Sequence, residues 1–186
     1  MSDVSELLVV IGAALDAAGI PYMVVGSFAS MAHGVPRTTQ DVDLVIEPTR
    51  ASLDAFLAAL DLERFYVDPD VARDALARRS MFNVIEMTTA WKVDLVIRKN
   101  RPFSIAELSR RTPKAIEDIE APTATAEDTI LAKLEWAKAG RSERQLTDVG
   151  DILRMRAGDL DLAYIERWVD ELGIRDEWER VRAALE

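Results

Sequence analysis

Two aspartates one residue apart, Asp41 and Asp43, sit inside an otherwise apolar run that ends at Glu47. In a strand, side chains alternate with period two, so both acids share a face while Val42, Leu44 and Ile46 point the other way into a core. Carboxylates held that close repel and raise each other's pKa unless a cation lies between them. A divalent metal is the simplest such cation. Upstream, the apolar run Met23-Val24-Val25 stops at Gly26-Ser27, a short helical segment Phe28 to His33 closes at Gly34, and a loop covers Val35 to Gln40. The spacing predicts a strand-to-helix turn at Gly26-Ser27, where free backbone N–H groups, the positive helix end and the Ser27 hydroxyl suit a phosphate.

A third acid falls into the same pattern. In Trp91 to Ile97, Val93, Leu95 and Ile97 take one face, and Lys92, Asp94, Val96 and Arg98 the other, so Asp94 can join Asp41 and Asp43. Glu86, on the preceding strand, is the alternative third acid. Three carboxylates on one sheet face can seat two metals about 3.5–4 Å apart, an arrangement that activates a hydroxyl for in-line attack at phosphorus and neutralises the leaving group. Asp94 could also accept that hydroxyl's proton. Mg2+ is the default ion because it favours oxygen ligands, with Mn2+ as the substitute.

Composition narrows the rest. The chain has 186 residues, enough for a core plus a helical appendage, and 49% hydrophobic with 30% charged residues is the make-up of a folded protein. Zero cysteines exclude disulfides, thiolate metal sites and a cysteine nucleophile. The net charge of −10 opposes general adhesion to nucleic acid. The apolar run Leu7 to Ile11 is short and flanked by acids, and no stretch approaches the roughly 20 apolar residues of a membrane span, so a cytoplasmic protein without a membrane partner is expected.

Helical periodicity places an amphipathic helix at Ser5 to Ala18, another from Pro48-Thr49 to Leu60 and short ones at Asp70 to Arg79 and Ser104 to Arg110. Strands are expected at Tyr22 to Val25, Phe65 to Val67 and Met81 to Met87, and Ala115 to Pro122 is either a last strand or an extended connection. From Thr125 the pattern turns helical, with segments 142–156, 160–172 and 175–185 after the first. The fold class is α+β: a small mixed sheet flanked by helices in residues 1–120, and a C-terminal helical bundle in residues 121–186.

Gly-Ser at a strand end, Asp-x-Asp on the next strand and a third Asp on a later one together resemble the nucleotidyltransferase superfamily related to DNA polymerase beta, over about residues 20 to 98. The tail Glu127-Asp128-x-Ile130-x-x-Lys133, followed by Arg144-x-x-x-Asp148-x-x-Asp151, resembles the abortive-infection type of nucleotidyltransferase, a group that includes bacterial toxin enzymes. The resemblance implies a triphosphate at Gly26 and Ser27, and metal binding and catalysis at Asp41, Asp43 and Asp94. It also implies that Lys133 and an acid, Asp148 or Asp151, approach the nucleotide; an interhelical ion pair is the other reading of Lys133 and Asp148. Arg37 in the loop before Asp41 is placed to touch phosphates or form a surface salt bridge. His33 reads as a helix-end packing residue rather than a metal ligand. The run Arg98, Lys99, Arg101, Arg110, Arg111 and Lys114 either meets an RNA acceptor or forms a solvated face, and Trp136, Trp168 and Trp178 read as core or dimer contacts.

Three functions compete. The first is a metal-dependent transferase moving a nucleoside monophosphate from a nucleoside triphosphate to a hydroxyl on tRNA, protein or a small molecule such as an antibiotic; the resemblance favours a toxin or defence role. The second is a non-catalytic nucleotide-binding or partner-binding module, such as the antitoxin-like half of a two-protein system. The third is a phosphodiester hydrolase.

Overall fold

A computed structural model of the chain describes residues 2–140 and 142–185. It opens with helix α1 (Asp3–Ala17), capped by the Ser2 hydroxyl, which accepts the Ser5 N–H at 3.2 Å. Its stripe of Leu7, Leu8, Ile11 and Leu15 is buried. Strand β1 (Tyr22–Val25) runs directly into helix α2 (Gly26–Ala32), and the loop that follows leads to β2 (Asp41–Ile46). Helix α3 (Arg50–Ala59) starts at a Thr49–Ser52 capping box, and α4 (Pro69–Arg78) at Asp68 with a proline in its first turn. Between them lies β3 (Phe65–Tyr66); β4 (Met81–Glu86), β5 (Lys92–Ile97) and α5 (Pro102–Arg110) follow.

The segment expected to be one strand or a connection forms a hairpin instead, β6 (Thr112–Ile116) and β7 (Ile119–Thr123). Among the described residues, the strands make one seven-stranded mixed sheet in the order β3-β4-β5-β2-β1-β7-β6. The centre matters most. β2 pairs antiparallel with β1 and parallel with β5, in full register from Asp41↔Lys92 to Ile46↔Ile97.

One face of this sheet carries Val24, Val42, Leu44, Ile46, Val93, Leu95 and Ile97, packed with α1, α3 and α4 into the main core. Burying such branched side chains is worth about 1.5–3 kcal/mol each, which locks the alternation and forces the other face of β2 and β5 to carry the acids. On that other face Met23 and Val45 pack with Leu108 of α5 and Ala124.

The remaining helices, α6 (Ala126–Gly140), α7 (Glu143–Met155), α8 (Leu162–Glu171) and α9 (Arg175–Ala183), enclose a second apolar cluster that includes Ile130, Leu134, Val149, Ile152 and Trp178. Val35 from the loop after α2 and Phe103 from α5 belong to this cluster too, the latter packing edge-on against Trp168 at 5.3 Å. His33 Nε2 lies 2.8 Å from the Ala124 carbonyl, tying the end of α2 to the start of the helical region. No helix among the described residues is long and apolar enough to cross a membrane.

Candidate active site

Val25, Asp43 and Asp94 form a row across three neighbouring strands, β1, β2 and β5. Gly26 begins α2 at the end of this row with φ of 64°, the left-handed region that L side chains avoid. A Cβ on Gly26 would stand 2.0 Å from Asp43 Oδ2, so the Asp43 carboxylate rests against the glycine backbone. Val25 precedes the helix without a side-chain cap, and Ser27 lies in the first turn. The Gly-Ser turn and Asp43 are therefore immediate neighbours.

The next row holds Asp41 and, directly across on β5, Lys92. Lys92 Nζ is 2.8 Å from Asp94 Oδ2 and 3.9 Å from Asp41 Oδ2. Thr39 donates its hydroxyl to Asp41 Oδ1. Asp94 is 6% exposed and its Oδ1 is buried with no hydrogen-bond partner. Burial, then Asp41 and Asp94, push the Asp43 carboxyl up to about 6. The hydrogen bond to Asp94 lifts the Lys92 ammonium above its usual range.

The cluster thus carries more negative charge than its lysine offsets, and one carboxylate oxygen, Asp94 Oδ1, is buried without a hydrogen-bond partner. Those features fit a divalent cation held by Asp41, Asp43 and Asp94. Among the described residues no three His, Cys, Asp or Glu side chains stand ready to hold a metal as they are arranged, and it is Lys92 that engages two of the acids.

A second polar group approaches from the helices. Lys133 of α6 donates to Asp148 Oδ2 of α7 at 2.7 Å and to Gln145 Oε1 at 3.2 Å, while Arg37 from the loop donates to Asp148 Oδ1. All three ionic side chains are nearly buried. Burial holds the Lys133 ammonium below its usual range, with Asp148 opposing the fall and Asp43 adding to that opposition. Two cations share one carboxylate here, leaving a surplus positive charge facing the acidic cluster. Asp151 instead pairs with exposed Arg154 at 2.7 Å.

Glu86 is turned elsewhere: it is 3% exposed and pairs with Arg64, and Thr89 donates to it. Three members of the basic run are engaged internally. Arg98 pairs with Glu47, Arg101 grips Glu135 through two nitrogens, and Arg110 meets Asp128 while its guanidinium lies 3.9 Å from the Tyr164 ring centre. Trp168 and Trp178 are core residues, whereas Trp136 is 65% exposed on α6. Lys92, Thr39 and Gln145 have no assigned role in the sequence pattern, yet they hold the site acids and Lys133 here. Only Lys92 had left a signal, a cation two residues before Asp94 and so on its face.

The sequence matches no family model and no curated protein. Solved structures are similar in fold. The solution structure of the antibiotic-resistance factor ANT(2'')-Ia aligns over 98% of this chain and 98% of that one, at 17% identity and a TM-score of 0.56. The crystal structure of ANT(2'')-Ia in complex with adenylyl-2''-tobramycin aligns over 99% and 97%, at 18% identity and a TM-score of 0.53. An antigenic nucleotidyltransferase-like protein from Paracoccidioides brasiliensis aligns over 93% and 89%, at 19% identity and a TM-score of 0.51. At these identities the likeness is one of architecture, and the chain has the mixed-sheet nucleotidyltransferase fold.

Proposed function

We propose that the protein is a metal-dependent nucleotidyltransferase that moves a nucleoside monophosphate from a nucleoside triphosphate to a hydroxyl acceptor. The observation that supports it most is the register Asp43↔Asp94 on parallel strands, with Asp41 on the same face and the Gly26-Ser27 turn beside Asp43. In this reading Ser27 and the first-turn amides of α2 receive the triphosphate, and Lys133 and Arg37 offset its charge. Asp41, Asp43 and Asp94 hold Mg2+ or Mn2+, which supplies Lewis-acid polarisation of the phosphates when bound. The acceptor oxygen attacks the α-phosphorus, the bond to pyrophosphate breaks, and the hydroxyl proton passes to the Asp94 carboxylate.

A small-molecule acceptor fits better than RNA. Three of the basic residues that would meet RNA, Arg98, Arg101 and Arg110, are held in internal ion pairs, and the chain carries a net charge of −10. A neighbour of nearly the same extent is bound to an adenylylated aminoglycoside. A toxin or defence role with an RNA or protein acceptor, regulated by an antitoxin, is the second reading, resting on the tail pattern around Lys133 and Asp148.

The test is incubation with each α-labelled triphosphate, magnesium or manganese, and in turn aminoglycosides, total RNA and the protein alone. Label on an aminoglycoside that is lost in Asp41→Ala and Asp43→Ala supports the first reading, and label on RNA or protein the second. Triphosphate binding without transfer under every condition would sink both in favour of a nucleotide-binding module.

A further inference from the structure

Resting on the transferase reading, we infer that the Lys92 ammonium is a resident occupant of the cation position, and that a divalent ion binds by displacing it. Strand pairing sets this up. The parallel register puts Lys92 directly across from Asp41 and two residues before Asp94, so an unbranched side chain reaches both carboxylates without leaving the sheet face. Its Nζ donates to Asp94 at 2.8 Å and stands 3.9 Å from Asp41. A single unit charge there offsets part of the repulsion between acids that are otherwise confined by the core behind β2 and β5.

The arrangement is incomplete in a way that invites exchange. One lysine answers three carboxylates, and Asp94, with a side chain only 8% exposed, still presents a buried Oδ1 to which nothing donates. The lysine itself is 37% exposed and held by two exchangeable contacts on a flexible stem, so it can swing into water while the acids stay in place. A divalent ion would bring twice the charge to the same carboxylates, one oxygen of which, Asp94 Oδ1, the ammonium leaves unpaired. The lysine therefore adds to the stability of the metal-free protein at the cost of weaker metal binding.

The experiment is Mn2+ titration of the full chain, native and Lys92→Met, followed by the spectroscopic signal of free Mn2+. Methionine keeps the unbranched apolar stem and removes the charge. We expect Lys92→Met to bind Mn2+ at least about tenfold more tightly, equivalent to about 1.4 kcal/mol, to melt at lower temperature without metal, and to gain more from added Mn2+ than the native chain. Asp94→Asn in the Lys92→Met background should abolish the gain. Equal or weaker affinity in Lys92→Met overturns the displacement while leaving metal-dependent transfer standing, and absence of Mn2+ binding in both proteins overturns both.

A second measurement needs no variant. In the native chain, amine acylation at Lys92, followed by mass spectrometry, should accelerate when magnesium is added, because the ammonium is expelled to solvent. Unchanged or slower modification would contradict the displacement.

Discussion

The carboxylate of Asp43 and the backbone of Gly26 touch so closely that a side chain on the glycine would stand 2.0 Å from Asp43 Oδ2. Gly26→Ala must therefore move an acid of the site and also adopt a φ of 64° that alanine disfavours. The expected result is a loss of about 1–3 kcal/mol in stability together with loss of nucleotidyl transfer, read by chemical denaturation and by the labelled-nucleotide assay.

Asp43 also makes stability depend on pH. Its carboxyl is raised to about 6 by burial and by Asp41 and Asp94, above the value of an unfolded aspartate. A raised acid binds its proton more tightly in the folded state, so the metal-free protein should gain stability as pH falls from about 7 towards 4, by up to about 3 kcal/mol. Asp43→Asn should flatten that part of the profile, and saturating magnesium should flatten it in the native chain. Melting temperatures across that pH range decide it.

Glu107, on α5 and 8% exposed, is pushed up to about 8, first by burial and then by Asp128. Keeping it protonated in the fold while the unfolded chain ionises costs folding free energy as pH rises from 4.5 to about 8. Glu107→Gln should leave stability near pH 5 almost unchanged and raise it at pH 9 by up to about 5 kcal/mol, which urea unfolding at the two pH values would measure.

Asp148 answers two buried cations, Lys133 and Arg37. Removing one partner of a buried pair leaves uncompensated charge, so Asp148→Ala should cost about 3–5 kcal/mol. Lys133→Met leaves Asp148 with Arg37; it should cost less stability while raising the triphosphate KM. If the pair only ties α6 to α7, transfer kinetics of Lys133→Met will match the native chain once folding is controlled.

The tryptophans separate by burial. Trp178 is 2% exposed in the helical cluster, and Trp178→Ala should cost about 3–5 kcal/mol. Trp136, 65% exposed, should cost under about 0.5 kcal/mol when replaced by alanine. Thermal unfolding of the two variants gives the contrast directly.

Much of the centre of this protein is local in origin. The alternation of Val42, Leu44 and Ile46 against Asp41 and Asp43, and of Val93, Leu95 and Ile97 against Asp94, follows from the two-residue period of a strand with one face buried, and the sheet keeps both patterns. The glycine before Ser27 likewise marked its own turn, because only a residue without a Cβ sits comfortably at that φ. The stripes of α1 and α3 and the turn to helix at Thr125 were legible for the same reason: their determinants lie within a few residues.

What the amino-acid order left open were pairings between distant segments. Whether Asp94 or Glu86 completed the acidic face depended on the register of β5 against β2 and on Arg64, which claims Glu86. Whether Arg98, Arg101 and Arg110 faced solvent depended on Glu47, Glu135 and Asp128, brought to them by packing. The cation between the acids was foreseeable as a requirement of charge. That it is Lys92, donated by a strand some fifty residues further on, was decided by tertiary structure, because strand register sets which side chains meet.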